Sequence, residues 1–369
     1  MLQPTYALPP LPPDAVIETV PVLKALARAS RALADLKGQA RTIPNQGILI
    51  DTLALQEARA SSEIENIVTT QDELFQADIF PEDPISPAAK EVALYRDALH
   101  FGHRRMHETG GLIPNSTLID LFRLLKGRND GFRVTPGTAL KNESTGEIVF
   151  VPPQDANEIV TLMTALERFV NDDAICDLDP LIKMALIHHQ FESIHPFPDG
   201  NGRIGRILNV LYLTRTGLLD IPILYLSRHI TRNKSEYYRR LQAVRDDGAW
   251  EDWVIFMLDA VAETALTTLH LVEGIGEQMR SVKHRMRTDW PKIYSQDLLN
   301  NLFRHPYTRI EFVQRDLGVT RQTAARYLDA LAAPEDGFLK KFPSGKRNYY
   351  VNTDLVRLFL MASGEDGRG

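Results

Sequence analysis

Residues 191–206 read Phe191-Glu192-Ser193-Ile194-His195-Pro196-Phe197-Pro198-Asp199-Gly200-Asn201-Gly202-Arg203-Ile204-Gly205-Arg206. Apolar residues precede the run (Leu181, Ile182, Met184, Ala185, Leu186) and follow it (Ile207, Leu208, Val210, Leu211, Leu213), which predicts a helix, a tight glycine loop and a second helix. Gly200, Gly202 and Gly205 allow positive φ and close approach to a ligand. Free N–H groups at the start of the second helix form an anion site. Arg203 and Arg206, three apart, reach one side of that helix start, and two guanidinium groups there suit a polyphosphate better than a single carboxylate. Asp199 offers the oxygen ligand magnesium prefers. His195 is the group in the run that accepts a proton near neutral pH. The constellation reads as phosphate transfer with a histidine base. A buried histidine followed by a plain turn is the simpler alternative, but a turn needs no paired arginines.

Residues 195–206 match His-Pro-Phe-x-Asp-Gly-Asn-Gly-Arg-x-x-Arg at every fixed position, and this run resembles the signature of the Fic family. The resemblance reaches from the proline-rich arm to about residue 260. It implies a mainly α protein, a Fic helical core with a β-hairpin flap. It also implies transfer of AMP from ATP to a Tyr, Ser or Thr hydroxyl of a target protein, with pyrophosphate leaving. On that resemblance His195 is the base and Asp199 holds Mg²⁺. The nucleotide is bound by the segment from Asp199 through Gly200, Asn201, Gly202, Arg203, Ile204 and Gly205 to Arg206, the last clamping the γ-phosphate.

Upstream, Ser61-Ser62-Glu63-Ile64-Glu65-Asn66 closes a helix expected from Gly47 to Ile67. Read alone, Glu63 and Glu65 are solvated helix charges. Fic proteins with an inhibitory helix carry Ser/Thr-x-x-x-Glu-Gly/Asn, which Ser61, Glu65 and Asn66 fit. The resemblance implies that Glu65 pairs with Arg206 in the γ-phosphate's place.

Between Gly131 and Pro153, Phe132, Val134 and Ile148-Val149-Phe150-Val151 flank Asn142-Glu143-Ser144-Thr145-Gly146, the pattern of a β-hairpin. A two-stranded hairpin is marginal alone, which favours a docking role. By resemblance this flap, 132–153, lines the nucleotide through Ile148, Val149 and Phe150 and takes the target segment as an added strand. Tyr237 or Tyr238 is implied against the adenine ring.

The 369 residues suggest three parts: an arm and inhibitory-helix region (1–85), the catalytic core (86–288) and a C-terminal unit (289–369). Residues 1–13 are proline-rich and read as an arm along the protein's own surface rather than a ligand for a proline-binding domain. A stripe of Val22, Leu26, Ala29, Leu33 and Leu36 predicts a helix opened near Thr19 and ending before Gly38. Further helices are expected over 86–109, 115–125, 155–171, 180–194, from Asn233, and from Trp250 to about 288. His100, His103 and His107 share a helix face, but Arg104 and Arg105 beside them oppose a cation. His189-x-x-Glu192-x-x-His195 has no zinc spacing.

A net charge of −6 leaves no whole-chain footprint for nucleic acid or membrane, and the single Cys176 excludes a disulfide framework. No apolar run is expected to reach transmembrane length, so a cytoplasmic location without membrane contact is expected. Residues 293–360 read as a small α+β winged helix-turn-helix: a helix over 310–317, a turn at Gly318-Val319-Thr320, a second helix from Arg321, and strands about Phe338–Lys341 and Lys346–Val351. Lys and Arg outnumber Asp and Glu from Arg304 to Arg347, so Arg321, Gln322 and Thr323 are candidate DNA contacts, with protein interaction the alternative. Two rivals to AMP transfer use the same residues: removal of AMP from a target, or a DNA-binding regulator with a Fic domain. A homodimer is compatible with all of these.

Overall fold

In a computed structural model, residues 3–70, 73–75, 77, 86–141, 145–333, 337–344 and 347–363 are described. They form two compact units, one of Met1–Ala34, Glu57–Val68 and Leu94–Ala265, the other of Asp35–Gln56, Thr69–Ala93 and Leu266–Gly369. The order begins α1 (Val20–Ala40), α2 (Gly47–Ile64), α3 (Pro87–Glu108), α4 (Asn115–Lys126), β1 (Leu140–Lys141) and β2 (Ile148–Phe150). It continues α5 (Ala156–Asn171), α6 (Pro180–Ile194), α7 (Asn201–Arg215), α8 (Ser227–Arg232), α9 (Lys234–Asp247) and α10 (Trp250–Asp289).

The first unit is built around α6. Asp179 caps it by accepting the Leu181 N–H at 2.8 Å, and Pro180 sits in its first turn. Every residue from Leu181 to Ile194 is buried, so the helix is covered on all sides. Trp253 on α10 donates its indole N–H to the Ala185 carbonyl at 2.8 Å. The hairpin pairs Leu140 with Phe150 and Lys141 with Ile148 across a bulge. Residues 142–144 of its expected turn lie outside the described residues. The arm runs along this unit as expected. Thr5 donates its N–H to the Val151 carbonyl and accepts the Val151 N–H on its hydroxyl, both at 3.1 Å, while Pro9 accepts from Gln190 at 3.0 Å.

Three expectations need correcting. The helix α2 stops at Ile64 because Asn66 takes a left-handed φ of 61° and Ile67 bonds back to Ser62. The helix α1, with Thr19 at its start, runs through Gly38 to Ala40, and Leu26 is only half-buried while Ala25 completes the stripe. Transmembrane length is reached after all: within α10 an 18-residue window is long and apolar enough to cross a membrane. Half of that window is buried, and Trp253, Met257 and Val261 of α10 are fully buried, as in a helix serving the core.

In the second unit α11 (Gln296–Arg304), β3 (Tyr307–Thr308), α12 (Ile310–Leu317), α13 (Arg321–Leu331), β4 (Leu339–Ser344), β5 (Arg347–Asn352) and α14 (Thr353–Ser363) follow in order. The sheet is antiparallel in the order β3-β5-β4. Gly318 turns at φ 65°, and the Thr320 hydroxyl accepts the Thr323 N–H to open α13. The strand β4 starts one residue later than expected, at Leu339, and Gly345 and Lys346 lie outside the described residues. Arg321 is paired with Glu311 at 2.5 Å and Lys341 with Asp329 at 2.7 Å.

Candidate active site

The run 195–206 links the C-terminus of α6 to the N-terminus of α7. His195 ends α6 in a left-handed conformation, φ 50° and ψ 58°, with its N–H on the Phe191 carbonyl at 3.0 Å. That backbone is uncommon for a residue with a side chain and must be held by its surroundings. Asn201 closes the loop. Its carboxamide accepts the Phe197 N–H and donates to the Phe197 carbonyl, both at 2.8 Å. Phe197 is buried and stacks on Phe122 with ring centres 4.7 Å apart. Gly200 then turns at φ 75° to open α7.

One turn into α7 stand two buried guanidinium groups. The Glu65 carboxylate spans them, with Oε2 2.7 Å from Arg203 Nε and Oε1 3.3 Å from Arg206 Nη2. Arg206 also donates from Nε to the Ser61 hydroxyl at 2.8 Å and from Nη2 to the Ser61 carbonyl at 2.9 Å. A Cβ on Gly202 would lie 2.8 Å from Arg206 Nη1 and 3.2 Å from Glu65 Oε1, so a glycine there leaves room for this pair. Ser61, Glu65 and Arg206 are thus brought together as expected. Asn66 supplies the left-handed turn that ends α2 beside the carboxylate, and its side chain accepts from Lys234 at 3.4 Å.

Burial, with the Arg133 and Arg245 charges beside it, pushes the His195 imidazole down to about 3, so it is neutral at physiological pH. Burial would raise the Asp199 carboxyl, but the Lys126 ammonium at 2.5 Å and the Gly200 N–H hold it below the usual range. Burial pushes Glu192 up to about 7 against the pull of Arg206 and Arg245. Behind the loop Asn209 donates to His188 Nδ1 at 3.1 Å, which leaves the proton on Nε2 for the Tyr237 hydroxyl at 2.9 Å. Tyr237 is therefore buried, whereas Tyr238 is exposed. On the hairpin Ile148 and Val149 are exposed, while Phe150 is fully buried with the Arg245 guanidinium 3.7 Å over its ring.

Three comparisons relate the chain to known proteins. A Fic/DOC family model matches residues 115–213, a Fic/DOC N-terminal model residues 23–104, and a model described as the C-terminal domain of a protein adenylyltransferase, SoFic-like, residues 278–355. The chain carries a Fic/DOC domain at residues 115–213, preceded by a Fic/DOC N-terminal region. It is similar to the protein adenylyltransferase Fic of Drosophila erecta, 32% identical over 127 residues, which are 34% of this chain and 24% of that protein. It is also similar to a probable protein adenylyltransferase of Aquifex aeolicus, 28% identical over 199 residues, 53% of this chain and 57% of that one. It thus spans less than two thirds of either relative. Among solved structures, a Fic family protein from Desulfovibrio desulfuricans superposes with a TM-score of 0.54 at 20% identity, covering 95% of this chain and 98% of that one. Fic-1 from C. elegans gives 0.54 at 19%, covering 70% and 74%. At those identities the likeness is one of fold.

Against the Fic signature, several site residues carried no signal in the sequence. Lys126 and Arg133 meet the loop, and Arg245 meets Ser193 just before it, from distant segments that only the fold joins to it. Neither histidine metal reading forms, since no cluster of three His, Cys, Asp or Glu fit for a metal occurs among the described residues. His189 instead turns its Nε2 to the Leu241 carbonyl at 3.3 Å, and His103 and His107 share a 3.1 Å contact through their Nε2 atoms.

Proposed function

We propose that this Fic/DOC chain is a protein adenylyltransferase, held inactive by Glu65, that moves AMP from ATP to a Tyr, Ser or Thr hydroxyl of a target protein. The observation that carries the reading is the Glu65 carboxylate lying across Arg203 and Arg206, one turn past a neutral His195. A carboxylate spanning two buried guanidiniums stands where an anion belongs, and the residues fit a nucleotide's terminal phosphates. Released from Glu65, Arg203 and Arg206 would take those phosphates with the N–H groups that open α7.

His195 takes the proton from the target hydroxyl. The freed oxygen forms a bond to the α-phosphorus as the bond to the leaving oxygen breaks, and that electron pair departs with pyrophosphate. Asp199, mostly exposed at its side chain, is the carboxylate for Mg²⁺, which when bound would neutralise phosphate charge; Lys126 must yield to it. Tyr238 faces solvent where an adenine can stack, and Ile148 and Val149 present the hairpin to the target segment. Half-buried free Cys176 and the use of ATP suit the cytoplasm. Residues 293–360 are read as a winged helix. With Arg321 and Lys341 already paired to carboxylates, it suits a protein partner better than a DNA backbone.

The test is incubation of wild type, Glu65→Gly and His195→Ala with Mg²⁺ and α-labelled ATP, read by intact mass. One added AMP, enhanced by Glu65→Gly and reduced about 10²–10⁴-fold by His195→Ala, is expected. No adduct from Glu65→Gly with any protein offered would sink the reading.

A further inference from the structure

We propose that Arg133 is the positioning residue for His195, holding the left-handed turn that aims its imidazole and tying that turn to the end of the hairpin. The inference rests on the reading of His195 as the base. Arg133 lies between α4 and β1 and is only 4% exposed. Its Nε donates to the His195 carbonyl at 2.8 Å, and its Nη2 donates to the Ile194 carbonyl at 3.3 Å. Its own backbone N–H donates to the Pro196 carbonyl at 2.8 Å. Three consecutive carbonyls of the turn are therefore gathered by one residue. Nη2 also donates to the Pro153 carbonyl, three residues past β2, so the same guanidinium grips the strand end.

The Ile194 and His195 carbonyls are among those a helix leaves unpaired at its C-terminus, and in most helices water or a following glycine satisfies them. Here the helix ends on His195 instead, with φ at 50°. A planar fork with fixed donor directions can hold several carbonyls at once; an ammonium is a single point on a flexible stem. A residue that only filled space would need no such fork. The arrangement makes the hairpin and the histidine one mechanical piece: what displaces Pro153 is felt at the His195 carbonyl.

The experiment compares Arg133→Lys and Arg133→Ala with their parent, all in full-length protein carrying Glu65→Gly so that turnover is measurable. Hydrogen exchange of peptides covering 191–201, the Kd for ATP and the kinetics of AMP transfer are read together. The expected result is faster exchange confined to 191–201, a Kd for ATP within about threefold, and kcat lowered about 10²-fold. Millimolar guanidinium should return part of the lost kcat to Arg133→Ala and none to the parent. Unchanged exchange at 191–201 in both variants overturns the proposal. So does faster exchange spread evenly over the whole core, since that is loss of fold rather than of aim. Should Arg133→Ala fail to fold, Arg133→Lys decides alone. Should the parent transfer no AMP, the functional reading falls, while the exchange comparison still decides the role of Arg133.

Discussion

Ser61 accepts two hydrogen bonds from Arg206, one on its hydroxyl and one on its carbonyl, at 2.8 and 2.9 Å. The end of α2 is thus anchored by main chain as well as by side chains. Ser61→Ala removes only the hydroxyl contact, whereas Glu65→Gly removes the carboxylate from both guanidiniums. A hydrogen bond to a charged group contributes about 1.5–3 kcal/mol, so Glu65→Gly should raise basal AMP transfer at least about tenfold and Ser61→Ala by clearly less. Equal activation in a labelled-ATP assay would show that the hydroxyl restrains as strongly as the carboxylate.

Stability should peak in mildly acidic solution. Burial pushes Glu57 and Glu192 from 4.5 up to about 7. Folded protein holds those protons where the unfolded chain has lost them, so stability falls as pH rises from 4.5 to 7, by on the order of 3 kcal/mol per group. Burial pushes His188 and His195 from 6.5 down to about 3, which makes stability fall as pH drops below 6.5. The two effects oppose each other between those limits. Urea denaturation should give midpoints that are highest and nearly level between about pH 4.5 and 6.5, and lower at 4 and at 8. Glu57→Gln should be relatively more favourable at pH 8 than at pH 5, and a pH-independent effect would refute the argument.

The adjacent tyrosines should separate cleanly. Tyr237→Phe leaves the buried His188 Nε2–H without its partner and should cost about 1–3 kcal/mol of stability. Tyr238→Ala should leave the fold intact and weaken ATP binding by an amount worth about 0.5–1.5 kcal/mol of aromatic contact. Thermal melts and nucleotide titration of both variants check this, and the opposite pairing of effects would reassign the adenine contact.

Gly205 faces a wall. A Cβ there would lie 2.9 Å from Glu192 Oε1 and 3.1 Å from the Phe191 ring, so Gly205→Ala should destabilise by about 1–3 kcal/mol. Gly38, within α1, has nothing within 4 Å of an added Cβ, and Gly38→Ala should stabilise by about 0.5–1 kcal/mol. Chemical denaturation of both proteins tests the pair.

Much of this was legible in the sequence because local rules carried it. Asp179-Pro180 and Gly200 mark the boundaries of α6 and α7 by capping and by backbone conformation, and α6 runs from 180 to 194 as the pattern requires. The early stop of α2 was not legible, since Asn66 enters the left-handed region only when the chain beyond it turns away. Arg133, Lys126 and Arg245 left no trace either. A guanidinium 62 positions before the carbonyl it binds has no periodicity to reveal it. The apolar length of α10 went unremarked, because a helix that serves a core can have the composition of one that crosses a bilayer.

The crowding around the signature also decides where new specificity can arise. Gly202 and Gly205 are walled in, Asn201 is committed to Phe197 at both ends of its amide, and Phe150 lies beneath Arg245. Libraries that randomise the loop would mostly yield unfolded protein. Diversity placed at Ile148, Val149 and Tyr238, which are about half exposed, disturbs that packing least, so an altered choice of base or target should be sought there first.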